Sequence, residues 1–196
     1  STVADFTNIE GGTLTGLASY ALRGSYGYAI TEYVFPESLT TIPSDLFNAN
    51  TTVKKVTLSS KTTSIGLRAF SGGTALETVT PFLPETLTSL GANVFDSCAK
   101  LTDTLELKGK LTSCGTYVFK KCTGLTEVWF GPETKVGEDM FNSCTGLRDL
   151  WFEGSYAQFG GDPFRSCNKY QFRVHYPKGD PSWATKLASN FKAWDA

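Results

Sequence analysis

The sequence predicts an α/β solenoid of about seven right-handed turns. Each turn gives one strand to a single parallel sheet, with little helix apart from a C-terminal cap. Three observations predict it. Phenylalanine recurs every 22 to 25 residues, at Phe47, Phe70, Phe95, Phe119, Phe141 and Phe164. Five residues before each stands Ile42, Ile65, Leu90, Cys114, Val136 or Phe159. Six residues after each stands Val53, Leu76, Leu101, Leu125, Leu147 or Tyr170. A unit of this length cannot bury its apolar face alone, so neighbouring units must stack on it.

The chain reads in three parts. Residues 1–35 form a degenerate N-terminal turn or cap. In it Leu17-Ala18-Ser19-Tyr20-Ala21-Leu22 copies Ile65 to Phe70 with Leu22 in the phenylalanine place, and Ile30 to Pro36 is its strand. Residues 36–176 are the regular repeats. The clearest, Val118 to Pro132 and Met140 to Gly154, read F-x-x-C-x-x-L-x-x-V/L-x-F. The tail alternates apolar and polar as a half-buried strand requires, and Gly131-Pro132 ends it. A second apolar segment, such as Leu87 to Leu90, leads to the next Phe. The third Phe-marked repeat has one extra residue, which shifts Thr104 to Leu107 in register. Residues 177–196 are a capping segment. Trp183, Leu187, Phe191 and Trp194 fall on one face of a helix. Asp180-Pro181-Ser182 supplies its capping residues and a first-turn proline. Basic residues are too few there for a membrane-surface helix, so the segment is read as closing the stack.

The tail L-x-x-L-x-L is the strand signature of a leucine-rich repeat. The fuller pattern I-G-x-x-A-F-x-x-C-x-x-L-x-x-V-x-x-P resembles the BspA-like leucine-rich repeats of bacterial and protozoan surface proteins. Ile65 to Phe70 is close to its first half and Phe119 to Pro132 to its second. Val174 to Gly179 and the Trp-bearing helix look like that family's C-terminal cap. The resemblance covers roughly residues 14 to 194. Asn50 and Gly73 replace the cysteine in two repeats, and the Asn ladder of longer leucine-rich repeats is absent. The resemblance implies an extracellular or cell-surface module of adhesin type. Its partner would be a host or neighbouring-cell surface or matrix protein, or a glycan.

Composition narrows the function further. The net charge is −1 with scattered Lys and Arg, which argues against a nucleic-acid face or a polybasic membrane patch. No apolar run approaches the ~20 residues that cross a bilayer, so no membrane insertion by this segment is expected. The start Ser1-Thr2-Val3 is no signal peptide and equally fits one already removed. Five cysteines contain no C-x-x-C pair, which leaves metal and redox motifs without support. Cys98, Cys122, Cys144 and Cys167 each follow a repeat Phe by three residues and share one column. Side chains of one column point the same way, which suits disulfide geometry poorly, so they read as buried free thiols. Asn50-Thr51-Thr52 is a glycosylation sequon by pattern.

No catalytic constellation stands out, and neither an enzyme nor a cofactor is expected. The lone histidine, His175, reads as a surface strand residue with no nucleophile motif before it. The candidate ligand face is the outward, concave side of the sheet. In L-x-x-V-x-F the inward positions are Leu125, Val128 and Phe130, so Trp129 points out, and Trp151 does so one turn later. Equivalent positions are Thr57, Thr80, Glu106 and either Val174 or His175. Glu127, Arg148 and Asp149 surround the two indoles. Trp is the residue most enriched at binding hot spots, and it is also a good strand former. A cover by Tyr156 to Phe159 would hide Trp151. Two functions remain open: a binding module using Trp129, Trp151, Glu127, Arg148, Asp149 and Glu106, or a structural spacer of a larger surface protein. Oligomeric state is open.

Overall fold

The computed structural model describes residues 2–5, 16–24, 30–102, 104–107, 111–132, 134–155 and 159–183. Among these, twelve short strands run in order. They are β1 (Thr2–Asp5), β2 (Ile30–Val34), β3 (Thr41–Ile42), β4 (Lys55–Thr57), β5 (Ser64–Ile65), β6 (Thr78–Thr80), β7 (Ser89–Leu90), β8 (Leu105–Leu107), β9 (Ser113–Cys114), β10 (Glu127–Phe130), β11 (Asp149–Phe152) and β12 (Arg173–His175). All pairings are parallel, as stacked turns of one sense require. The chain is a leucine-rich-repeat solenoid with almost no helix.

The leucine-rich strands form two sheets on one flank, β1-β2-β4-β6 and β8-β10-β11-β12. The segments that lead into each Phe form a third sheet, β3-β5-β7-β9. A bridge between Val136 and Phe159 continues the same column. The expected single sheet is thus interrupted between β6 and β8. The cause is local. The chain leaves β6 through Thr80-Pro81-Phe82-Leu83-Pro84, and the extra residue after Leu101 displaces β8. Phe82 fills the step, edge-on to Phe95 at 5.6 Å and to Phe119 at 6.1 Å.

The phenylalanine column is the spine. All six rings are at most 2% exposed. They stack face to face at 5.1–5.5 Å with planes within 13° of parallel. Each Phe N–H donates to the carbonyl just before the next Phe, as in Phe95 to Val118 at 2.8 Å and Phe119 to Met140 at 2.8 Å. The residues two before and two after each of the first five Phe adopt positive φ, and around Phe164 Gly161 and Ser166 do so. Asp45 and Ala49, Asn93 and Ser97, and Tyr117 and Lys121 are examples. These left-handed residues bend the chain around the ring. Tyr20 and Gly24 carry the same signature around Leu22, and Leu22 N–H donates to the Leu46 carbonyl at 3.0 Å. The degenerate first turn is therefore a true turn of the stack. Glycine is required where a corner touches the turn before it. A Cβ on Gly91 would lie 2.5 Å from the Leu67 nitrogen, and one on Gly115 would lie 2.4 Å from the Ala92 nitrogen.

One expected core member is displaced. Tyr170 sits in the 3-10 turn Lys169–Gln171 and is 86% exposed. Phe172 replaces it, buried and edge-on to Phe164 at 5.3 Å. At the C-terminal end Trp183 is fully buried over Phe152, ring centroids 4.5 Å apart, and its Nε1 donates to the Gly154 carbonyl. Asp180 caps this turn by accepting from Ser182 N–H at 2.9 Å. Leu187, Phe191 and Trp194 lie outside the described residues.

The cysteine column has a specific purpose. All five thiols are free. Each column thiol donates to the carbonyl of the Phe one turn back: Cys98 to Phe70, Cys122 to Phe95, Cys144 to Phe119 and Cys167 to Phe141, at 2.9–3.2 Å. Asn50 does the same with its amide, donating to the Leu22 carbonyl at 3.0 Å. Its other amide atom accepts from Thr52 and Val53. Asn50 is 6% exposed, so the sequon is a structural element and offers no accessible acceptor. Gly73 supplies no side chain, and a void of ≈ 10 Å³ lies there between Phe47, Asn50, Val53, Phe70 and Leu76. Burial pushes the Cys98 thiol up to about 12 and holds Cys122 well above its ordinary value.

Candidate functional site

The outward face of β8-β10-β11-β12 is set by strand alternation. Leu105, Leu107, Val128, Phe130, Leu150 and Phe152 point in and are buried. Their neighbours therefore point out. The register places Glu106 beside Trp129, Trp129 beside Trp151 and Trp151 beside His175. Four consecutive turns thus form one column. Of the two positions left open by the sequence, His175 is the one in line.

The column is a stack of rings. Trp129 and Trp151 lie 4.6 Å apart at 5°. Trp151 and His175 lie 3.5 Å apart at 8°. Both indoles are half-buried, because each covers the other. A second column runs beside it. Glu127 pairs in register with Asp149, and Asp149 with Arg173. Glu127 Oε1 accepts from Trp129 Nε1 at 2.8 Å. Asp149 is one methylene shorter and turns the other way. It accepts from the Arg173 guanidinium and meets His175 Nε2 at 3.0 Å. Trp151 Nε1 consequently has no hydrogen-bond partner among the described residues. Partial burial works to raise the Asp149 carboxyl, but the Arg173 and His175 contacts outweigh it and hold it below the usual carboxylate range.

Arg148 belongs to the face only by position. Its Nη1 donates to the Thr145 and Leu147 carbonyls, both at 2.8 Å, so its charge serves its own corner. Phe159 does not cover Trp151. It faces the interior between Phe152 and Phe164, and residues 156–158 lie outside the described residues. Sequence reasoning left His175 open as an alternative to Val174 and missed Arg173 as a member of the site. The signal for them was the repeat register, which breaks at the 3-10 turn before β12. Among the described residues no cluster of His, Cys, Asp and Glu could hold a metal ion, and no helix is long and apolar enough to cross a membrane.

Six copies of the BspA type leucine rich repeat region match residues 5–102 and 40–171. The chain belongs to the BspA-type leucine-rich-repeat family. The BspA-type solenoid is also seen in solved structures. A leucine-rich-repeat protein of T. pallidum superposes with a TM-score of 0.76 at 22% identity, over 99% of this chain and 86% of that one. A leucine-rich-repeat protein from Bacteroides ovatus gives 0.63 at 17% identity, over 83% of this chain and 46% of its own. The pneumococcal vaccine antigen PcpA gives 0.60 at 20% identity, over 81% of this chain and 38% of its own. At these identities the likeness is one of fold. No curated protein matches the BspA-type sequence described here.

Proposed function

We propose that this chain is an extracellular recognition module, displayed at a bacterial cell surface, that binds a protein or glycan of a host or neighbouring cell through the outward face of β8-β12. The stacked column of Trp129, Trp151 and His175 carries the reading. A rigid sheet holds two indoles on a solvent-facing surface at little entropic cost, which is what an interface anchor needs. Membership of a repeat family whose turns build extended binding surfaces supports it. So does the pneumococcal relative, which is an antigen. Glu106, Glu127, Asp149 and Arg173 form the polar surround.

A spacer module is the second reading, and one observation favours it. Phe130 and Phe152, inside the core, stack at the same 4.6 Å as the two indoles outside it. Ring stacking between turns therefore also serves cohesion alone.

One experiment separates the two readings. The parent chain and the Trp129→Ala/Trp151→Ala variant are compared for binding to immobilised matrix proteins and glycans, with circular dichroism as the folding control. A recognition face loses about 30-fold in affinity, or about 2 kcal/mol, while the variant stays folded. Unchanged binding to a verified partner places recognition elsewhere. Absence of any partner together with a lower melting temperature marks the ladder as cohesive.

A further inference from the structure

At the β12 end of the face one carboxylate holds two basic side chains, and the sharing points to one ligand chemistry. This inference rests on the reading that the outward face of β8-β12 recognises a partner. Arg173 and His175 stand two residues apart on β12, and both project outward, since Val174 between them packs on the core. Asp149 on the neighbouring strand meets both. Its Oδ2 accepts from an Arg173 Nη, and its Oδ1 lies 3.0 Å from His175 Nε2. The Arg173 side chain is 70% exposed and that of His175 35% exposed, so solvent reaches both.

The bridge leaves donors unspent. Asp149 engages one guanidinium nitrogen, whereas the planar fork of an arginine carries more N–H donors than one carboxylate oxygen can take. An ionised carboxylate only accepts, so a neutral His175 donates through Nε2–H and its Nδ1 is an acceptor. Arg173 and Asp149 then cancel, and Asp149 repels a second carboxylate brought to Arg173. Protonation of His175 changes both points. Nδ1 becomes a donor, and the trio gains a net positive charge. The imidazolium keeps its place, because it still donates to Asp149 and a cation is accepted against the Trp151 ring 3.5 Å away. The other ionisable groups beside β11 and β12 are engaged elsewhere. Arg148 is turned onto backbone carbonyls, and Tyr176 is stacked on Trp183 at 5.1 Å. Glu127 bonds Trp129, and Glu153, past the end of β11, has a contact of its own.

We infer that Arg173 and His175, bridged by Asp149, form a proton-gated subsite for a carboxylate side chain of a polypeptide partner. The Arg173 fork takes the incoming carboxylate, which it matches in shape, and the charge on protonated His175 offsets that of Asp149. Imidazole is the side chain whose ordinary charge change falls at roughly pH 5–8, so the gate opens on mild acidification. Asp149 stays ionised through that range, since Arg173 and His175 hold its carboxyl below the usual carboxylate values against its partial burial. An acidic side chain is favoured over an acidic sugar because a sugar ring here has no indole face to lie on. Trp151 has Trp129 on one face at 4.6 Å and His175 on the other at 3.5 Å. A Glu or Asp side chain needs no such platform.

The test is an NMR titration of the full ¹³C,¹⁵N-labelled chain, read on the imidazole ring signals. His175 is the single histidine, so these signals are its own. The probes are N-acetyl-glutamate amide, its neutral isostere N-acetyl-glutamine amide, and methyl glucuronide. Each is titrated at about pH 5.5 and about pH 7.5, toward either end of the imidazole range. The glutamate probe is ionised at both, since a glutamate side chain has an ordinary pKa of ~4.3. The expected result is a saturable shift with the glutamate probe, about 5-fold tighter at the lower pH, the scale of one exposed ion pair. The glutamine probe leaves the signals in place, and the glucuronide binds more weakly than the glutamate. Arg173→Gln, an exposed substitution, weakens the glutamate probe about 5-fold at the lower pH. Equal affinity at the two pH values overturns the gate, and equal shifts from glutamate and glutamine overturn the carboxylate. Tighter binding of the glucuronide overturns the polypeptide assignment, and no saturable shift overturns the subsite. If the subsite fails while the double tryptophan variant still loses its partner, the recognition face stands without it. If the subsite is present while that variant binds unchanged, the recognition reading fails alone.

Discussion

Gly73 interrupts the column of side-chain donors, and restoring the column predicts a gain in stability. In Gly73→Cys the new thiol reaches the Phe47 carbonyl, as Cys98 reaches that of Phe70 at 3.2 Å. Three contributions add. Replacing a glycine whose φ is not positive stabilises by about 0.4–1 kcal/mol through the unfolded chain. Filling a void of ≈ 10 Å³, at roughly 24 cal/mol per Å³, adds about 0.2 kcal/mol. A thiol–carbonyl hydrogen bond adds about 0.5 kcal/mol, the low end for such bonds. One contact opposes these: a Cβ at Gly73 lies 3.0 Å from the Phe70 carbonyl oxygen. Cys98 shows that the position tolerates it, since its N–H meets the Phe95 carbonyl at the same 3.1 Å as Gly73 meets Phe70. The net expectation is about 1.5 kcal/mol, or a rise of about 3–6 °C in melting temperature for a chain of this size. Urea denaturation under reducing conditions measures it, with Gly73→Ala as the control that lacks the hydrogen bond. A destabilised Gly73→Cys would refute the reasoning, and equal gains from Ala and Cys would remove the thiol–carbonyl bond from it.

Three further outcomes are expected. Phe119→Ala removes a fully buried ring from the middle of the spine and costs about 3–5 kcal/mol in chemical denaturation; a loss under about 1 kcal/mol would show that the spine is not cooperative. The buried column thiols Cys98, Cys122 and Cys144 resist alkylation in the native protein at pH 8, because burial raises Cys98 to about 12 and holds Cys122 and Cys144 well above their ordinary value, and all five cysteines react in denaturant without reductant. Recovery of a Cys122–Cys144 crosslink from fresh native protein would contradict this. Asp45 gives a pH signature. Burial opposes its ionised form, but Arg68 and Asn48 outweigh that and hold its carboxyl below the ordinary value. Its stabilising contribution is therefore complete above the ordinary carboxylate pKa of ~3.9 and is lost as pH falls through its own lower value. Asp45→Asn should be destabilising near neutral pH, with the gap to the parent closing below about pH 4. A gap that is constant with pH would place the effect in packing.

The sequence made the apolar columns plain because phenylalanine, leucine and the strand alternation repeat with little change in spacing. It also placed Trp129 and Trp151 on the outward face, since alternation fixes facing once Val128 and Leu150 are assigned inward. Other features were hidden for physical reasons. The left-handed residues around the Phe column include Arg68, Tyr117 and Lys121, and Gly72 is one of the few glycines among them, so glycine spacing does not advertise the turns. The cysteines looked like small hydrophobes, and only the carbonyl partners show that they donate. Asn50 then becomes intelligible as a cysteine substitute, which its sequon pattern had obscured. Tyr170 kept the spacing of a core residue while the 3-10 turn handed the place to Phe172. The same turn left Val174 and His175 as alternatives for the rung that His175 takes. The break between β6 and β8 depended on one extra residue whose effect on pairing no pattern states.

That break has a mechanical meaning. The β3-β5-β7-β9 ladder runs through the third repeat without a gap, while the opposite flank has no ladder between Thr80 and Leu105 among the described residues. At the third repeat one flank is laddered, and the other carries a seam closed by Phe82. Bending at the seam stretches ring contacts there, whereas bending between β4 and β6 must stretch backbone hydrogen bonds on both flanks. A load along the axis thus concentrates its deformation at the third repeat. The face bearing Trp129 and Trp151 lies wholly to one side of that seam, so it tilts as a rigid plate while its internal spacing is kept.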